Sequence, residues 1–226
     1  MPEGAGRFSG PEHIDPALPE SIGYLIDQRP DHAPGIAAII DGQGVEDEAE
    51  QPRVAQDVDV WMGNGQTGLP EHALVYAVMS AAYKILPERF DAWMEILRAV
   101  PGSILWMRTM GGVAARRLHL RAEARGVDPA RLQIARNEPV PRYLARYRLA
   151  DLYLDTWPFG SHTTVNDALS VGLPVLAQAG RTFASRASAS QVIAAGLPEL
   201  VTNSLQGYVD LAIALGSDRA RLGELS

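Results

Sequence analysis

Residues 150–176 constrain the fold of this chain more than any other stretch. Leu152, Tyr153 and Leu154 form an unbroken apolar run closed by Asp155. That is the pattern of a strand covered on both faces. Pro158 and Gly160 then break the chain. Ser161 is placed to cap a helix that starts near His162 and stops at Gly172. Pro174, Val175 and Leu176 open a second apolar run. A loop that runs from a strand end to a helix N-terminus is a ready anion site, because unpaired N–H groups and the helix dipole face the ligand. His162, Thr163 and Thr164 put an imidazole and two hydroxyls at that mouth. Asp167 lies four residues after Thr163 and shares its helix face. A carboxylate there can accept hydrogen bonds from sugar hydroxyls. Together they suit a phosphate joined to a ribose.

The same texture runs back to Leu69. Leu74–Met79 looks like a buried strand, and Phe90, Trp93, Met94, Ile96 and Leu97 give residues 87–100 an amphipathic helical period. Pro101 and Gly102 stop it. Ser103–Met107 is a second strand, Val113–Arg125 a helix stopped at Gly126, and Leu132–Ala135 a short third strand. A helix over 141–148 leads into the strand at 150–154. After Val175 come a helix over 182–195, a short Leu200–Val201 segment and a helix over 205–215 with a polar tail. Strand and helix alternate at least five times, which predicts an α/β fold with a parallel sheet and helices on both faces. Ligands of such sheets sit beyond the carboxyl ends of the strands, where the 155–162 loop emerges. Trp93, Trp106 and the Leu/Ile stripes read as core, and Arg116–Arg117 as a solvated helix face. Residues 1–67 differ. They hold seven prolines, an acidic cluster over 46–50 and no sustained periodicity. They read as a partly ordered segment ahead of a domain over 68–226.

Composition narrows the function. The apolar fraction of 46% supports a sizeable core, and the net charge of −7 argues against general nucleic-acid binding. There is no cysteine, and none of the five histidines forms a metal-type pair, so no metal is expected. No apolar run approaches the roughly 20 residues of a membrane span. The first 30 residues lack a signal pattern. The expectation is a cytoplasmic protein that needs no membrane.

The segment from Asp151 to Leu176 resembles the C-terminal catalytic lobe of the O-linked N-acetylglucosamine transferases, glycosyltransferase family 41, including SPINDLY-like members. Residues 68–76 with Tyr83–Ile85, 103–106, 126–132 and 180–186 agree with the same family in order. Five collinear matches are more specific than a lone motif. The resemblance implies a Rossmann-like parallel sheet, the C-terminal lobe of a GT-B glycosyltransferase fold. It implies UDP-N-acetylglucosamine as donor and Ser or Thr hydroxyls of a protein or peptide as acceptor. It places diphosphate binding on His162, Thr163 and Thr164, and ribose binding on Asp167. The phosphate-neutralising lysine becomes Lys84, and the arginine before the strand becomes Arg146. By the same resemblance Lys84 and His162 carry the catalytic role, and Tyr143 stands where the family has a histidine that stacks on uracil. Tyr143 can stack or simply pack.

Three departures from the family pattern stand out. Met79–Ala82 replaces the polar residues that precede the Tyr-Lys-Ile. The N-terminal lobe is nearly missing; residues 22–27 faintly match its end. No 34-residue repeat occurs. Two readings stay open: a family 41 transferase, or its donor lobe, completed by a separate N-lobe or tetratricopeptide-repeat chain; and a catalytically silent nucleotide-sugar-binding or interaction module. An epimerase or small-molecule transferase of the same fold is a third. Arg181 and Arg186 read as structural residues paired with nearby backbone or carboxylates.

Overall fold

The computed structural model describes residues 68–108 and 110–225. The expected partial order of residues 1–67 lies outside them. Six strands are β1 (Leu74–Val78), β2 (Ser103–Met107), β3 (Leu132–Ile134), β4 (Leu152–Leu154), β5 (Val175–Gln178) and β6 (Val201–Thr202). The helices are α1 (Pro87–Ala99), α2 (Gly112–Ala124), α3 (Val140–Ala145), α4 (Thr163–Ser170), α5 (Phe183–Ala194), α6 (Leu205–Ser217) and α7 (Arg219–Gly223). The strands form one sheet in the order β3-β2-β1-β4-β5-β6, with every pair parallel. The predicted α/β parallel sheet is therefore observed. The polar tail folds into α7, and the Leu200–Val201 segment becomes the edge strand β6, shifted by one residue.

The apolar runs explain why the sheet is a core. Every residue of β1, β2 and β4 is buried. β1 lies at the centre, with Tyr76 opposite both Leu105 and Leu152. The chain steps outward from β1 to β2 and β3, returns beside β1 at β4, and steps the other way to β5 and β6. The loops after β1 and β4 thus diverge, and the crevice between them is the topological switch point.

Helix α1 packs along α6 and is fastened at its middle and at its C-terminal end. Trp93 Nε1 donates to the Tyr208 hydroxyl at 3.2 Å. At the C-terminal end Arg131 donates to the carbonyls of Leu97 (2.7 Å) and Val100 (3.0 Å) and to that of Ser103 (2.8 Å). One guanidinium thereby serves carbonyls a helix end leaves open. The stretch 126–132 builds this contact: Gly126 turns at φ 74, and Asp128 caps the following turn through the Ala130 N–H. Beneath the same helix pair, Tyr76 of β1 donates to the Ala212 carbonyl of α6 at 2.9 Å. Its ring runs so close to α6 that a Cβ on Gly216 would sit 1.9 Å from the Tyr76 oxygen.

Gly216→Ala should therefore cost about 1–3 kcal/mol, the usual range for an overpacked core. Thermal unfolding should show a Tm drop of several degrees, and Tyr76→Phe in the same chain should recover part of it. An unshifted Tm for Gly216→Ala would refute the close approach.

Candidate functional site

The site grows from the two diverging loops. After β1 the chain makes a short turn, Ala82–Lys84, before α1. After β4 it runs through Asp155–Ser161 to α4. A buried polar floor joins the two. Ser80 pairs hydroxyl to hydroxyl with Ser161, lies 3.3 Å from the Tyr153 hydroxyl and 3.4 Å from that of Thr156. Tyr153 donates to Ser161 at 3.1 Å, and Thr156 donates to the Phe159 carbonyl at 2.8 Å. All four hydroxyl residues are buried. Burial pushes the Tyr153 phenol up to about 12, so it stays a neutral donor. Beneath the loop, the buried Asp155 accepts the Ser161 N–H at 2.9 Å. Burial raises its carboxyl above the usual range, and hydrogen bonds from Ser161 pull against that shift.

Ser161 is thus part of the floor, not the helix cap that its type predicts. Its hydroxyl meets Ser80 and Tyr153, while its carbonyl accepts both the N–H (3.2 Å) and the hydroxyl (2.9 Å) of Thr164. The cap position is taken by His162 at φ 46, a left-handed backbone rare outside glycine. Its ring is pinned on three sides. Nε2 donates to the Ala184 carbonyl at 3.2 Å, Phe159 stacks on it at 5.4 Å, and Phe183 meets it edge-on at 5.9 Å. A carbonyl partner puts the proton on Nε2 and leaves Nδ1 open. The N–H groups of His162 and Thr163 have no acceptor among the described residues. Thr163 is exposed and Thr164 half-buried.

Lys84 reaches this cluster from the other loop. Its Nζ donates to the Gly160 carbonyl at 2.8 Å and lies 4.3 Å from the Phe159 ring centroid. Burial lowers its pKa and the nearby Asp155 opposes that change. Lys84 and His162 therefore share one ring, Phe159.

A second cluster surrounds Asp167. Tyr143 donates to Asp167 Oδ2 at 3.3 Å and pairs with the buried Tyr147 hydroxyl at 2.6 Å. Arg146 lies 4.4 Å over the Tyr143 ring and donates to the Arg136 carbonyl at 3.0 Å. Arg146 is 3% exposed, and its polar contacts are shared with neither Lys84 nor His162. It supports Tyr143 from below. Tyr147 packs 6.3 Å from Tyr153, which links this cluster to the floor. Arg181 and Arg186 are exposed and hold no hydrogen bond or ion pair among the described residues, so the expected pairing is not there. Tyr147 and Phe159 were not singled out by the sequence, and Ser80 entered only as part of the departing stretch Met79–Ala82, not as a member of a buried floor. The signal of Phe159 was faint: it is an apolar residue inside a polar loop.

The sequence profile of glycosyl transferase family 41 matches residues 37–226. This chain belongs to glycosyl transferase family 41. Among family relatives, a UDP-N-acetylglucosamine–peptide N-acetylglucosaminyltransferase of Caenorhabditis elegans is 36% identical over 160 residues, covering 71% of this chain and 14% of that protein. The probable Arabidopsis thaliana enzyme SEC is 32% identical over 160 residues, covering 70% of this chain and 16% of its own length. A Lys-to-Met mutant of Thermobaculum terrenum O-GlcNAc transferase superposes with a TM-score of 0.65 at 33% identity, covering 70% of this chain and 32% of that one. This family 41 chain thus spans about a seventh of those curated relatives' length and a third of the solved structure. Among the described residues no helix is long and apolar enough to cross a membrane, and no group of three His, Cys, Asp or Glu could hold a metal ion.

Burial raises the Asp167 carboxyl, and the Tyr143 hydrogen bond opposes that rise. Tyr143→Phe should therefore move the Asp167 titration further up. A carbon-13 NMR titration of the Asp167 carboxyl checks this; an unchanged or lower midpoint would contradict the contact.

Proposed function

We propose that this chain is the donor-binding lobe of an O-GlcNAc-type protein glycosyltransferase. It binds UDP-N-acetylglucosamine between the β1 and β4 loops. The observation that supports this reading best is the meeting of Lys84 and His162, from two separate loops, at the switch point beside open N–H groups. The diphosphate takes the Lys84 ammonium, the Thr163 hydroxyl and the His162–Thr163 N–H groups, while the Thr164 hydroxyl stays with the Ser161 carbonyl and fixes the start of α4. Asp167 accepts from the ribose, with Tyr143 holding its carboxylate in place.

In the transfer, a Ser or Thr oxygen of the acceptor protein bonds to the anomeric carbon as the bond from that carbon to the diphosphate oxygen breaks. The hydroxyl proton passes to a base outside the described residues. Negative charge gathers on the departing UDP, where Lys84 and the α4 N-terminus stabilise it. Such preorganised donors supply a large share of catalysis. No metal is assigned to the site; the cation at the diphosphate is Lys84. The acceptor groove comes from another part of the protein or from a separate N-lobe or tetratricopeptide-repeat chain. The setting is the cytoplasm.

Burial of Ser80 in the floor, away from the mouth, favours a second reading: a lobe that binds the nucleotide sugar without transferring it. Calorimetry with UDP and UDP-N-acetylglucosamine, followed by sugar transfer to peptides, separates the two. Binding together with transfer supports the enzyme; binding without transfer, even with an N-lobe supplied, supports the silent module. Lys84→Ala should weaken UDP binding about tenfold or more while leaving uridine binding unchanged, since a charge-assisted contact is worth about 1.5–3 kcal/mol. His162→Ala should weaken UDP binding as well, because the ring that pins the loop carrying the His162 and Thr163 N–H groups is lost. Asp167→Ala should weaken both ligands. Equal UDP affinity in Lys84→Ala and the parent chain would sink the proposal.

A further inference from the structure

We infer that Phe159 is a positioning residue, an aromatic platform that sets Lys84 and His162 in place before the diphosphate arrives; the inference rests on the donor-lobe reading above. Phe159 is 46% exposed, so the core does not require its ring. Its backbone is fixed instead, because its carbonyl accepts the Thr156 hydroxyl at 2.8 Å. That anchorage aims the ring at both functional side chains. The Lys84 ammonium lies 4.3 Å from its centroid, and the His162 imidazole stacks on it at 5.4 Å with 16° between planes. The next residue, Gly160, offers its carbonyl to the same ammonium at 2.8 Å. A side chain at Gly160 would force Ser188 Oγ aside and crowd Asp155 Oδ2 at 3.1 Å and the Ala184 carbonyl at 3.3 Å. Ring and carbonyl thus come from one rigid corner.

A lysine amine on a free four-carbon stem is a poor phosphate ligand until it is ordered. The ring quadrupole orders it without neutralising it, since an aromatic face attracts a cation but carries no charge. A carboxylate in the same position would order the amine and cancel it. An aliphatic side chain would fill the space and attract nothing. The role therefore requires an aromatic ring, and that requirement separates platform from packing.

The test uses the full chain in three forms: parent, Phe159→Leu and Phe159→Trp. Calorimetry with UDP and NMR titration with uridine read the two halves of the ligand. Phe159→Leu should weaken UDP binding about three- to tenfold, a cation–π contribution at a partly exposed site. Phe159→Trp should stay within about twofold of the parent, and uridine should bind all three alike. Parent-like UDP affinity in Phe159→Leu overturns the platform, as does an equal loss in Phe159→Trp or a parallel loss of uridine binding. A ligand-free measurement keeps the platform testable by itself: the Lys84 ε-protons should be shifted upfield by the ring in the parent and not in Phe159→Leu. An upfield shift in a parent chain that binds no UDP refutes the nucleotide reading while the platform geometry stands. Absence of the shift refutes the platform whatever binds.

Discussion

A carboxylate almost stripped of water sets the shape of the loop between β4 and α4. Asp155 is 2% exposed, and its Oδ1 takes the Ser161 N–H across a turn of six residues. Its own carbonyl is held by the Tyr208 hydroxyl from α6 at 3.1 Å. The loop closes on it so tightly that a Cβ on Gly160 would come within 3.1 Å of Oδ2. With Ser161 seated on Asp155 on one side and the helix starting at Thr163 on the other, His162 absorbs the remaining turn by adopting φ 46. A strained residue of this kind persists where its surroundings over-determine it. Here those surroundings are the Asp155 seat, the Ala184 carbonyl and two phenyl rings.

The same carboxylate reaches across the crevice. Two effects meet on the Lys84 amine: burial favours losing its proton, and attraction to Asp155 favours keeping it. Asp155 thus shapes the loop between β4 and α4 and favours the charged form of the side chain that arrives from the other loop. The hydroxyl floor performs the mechanical part, tying Ser80 after β1 to Ser161 and Tyr153 of β4 and its loop. Sheet order makes this possible, because β1 and β4 are neighbours in space although β2 and β3 intervene in sequence. A buried network is worth most when every member is satisfied, and each floor hydroxyl has at least one partner.

Much of this was legible before any coordinates. Unbroken apolar runs identified β1, β2 and β4 because buried parallel strands need no alternation, and glycine or proline marked where α1, α2 and α4 end. What the sequence obscured follows from long-range contacts. Ser161 has the residue type of a helix cap, yet tertiary partners outbid that local preference. β6 has two residues and no periodicity to detect; it exists because Val201 and Thr202 lie along β5. The role of Arg131 was invisible for the same reason, since the carbonyls it serves belong to a helix about thirty residues earlier. At the site, His162 and Asp167 lie close together in a motif that sequence can show. Phe159 and Tyr147 gain their meaning only from side chains elsewhere in the chain.

The two cations of the site show how the same kind of contact serves different ends. Lys84 lies over Phe159 and Arg146 over Tyr143. Arg146 is buried, spends Nη1 on the Arg136 carbonyl, and loses proton affinity mainly through desolvation. Moving it would strand a charge and a ring in the interior, so it behaves as part of the frame that keeps Tyr143 against Asp167. Lys84 is half-buried and holds a single neutral carbonyl. Charge-assisted bonds to an anion are about twice as strong as bonds between neutral groups. In the donor-lobe proposal an incoming phosphate oxygen therefore outcompetes the Gly160 carbonyl for the ammonium, and the exchange moves a long flexible side chain by little because the ring beneath it already fixes where it points. The frame stays still, and the one contact that yields is the one a ligand can replace.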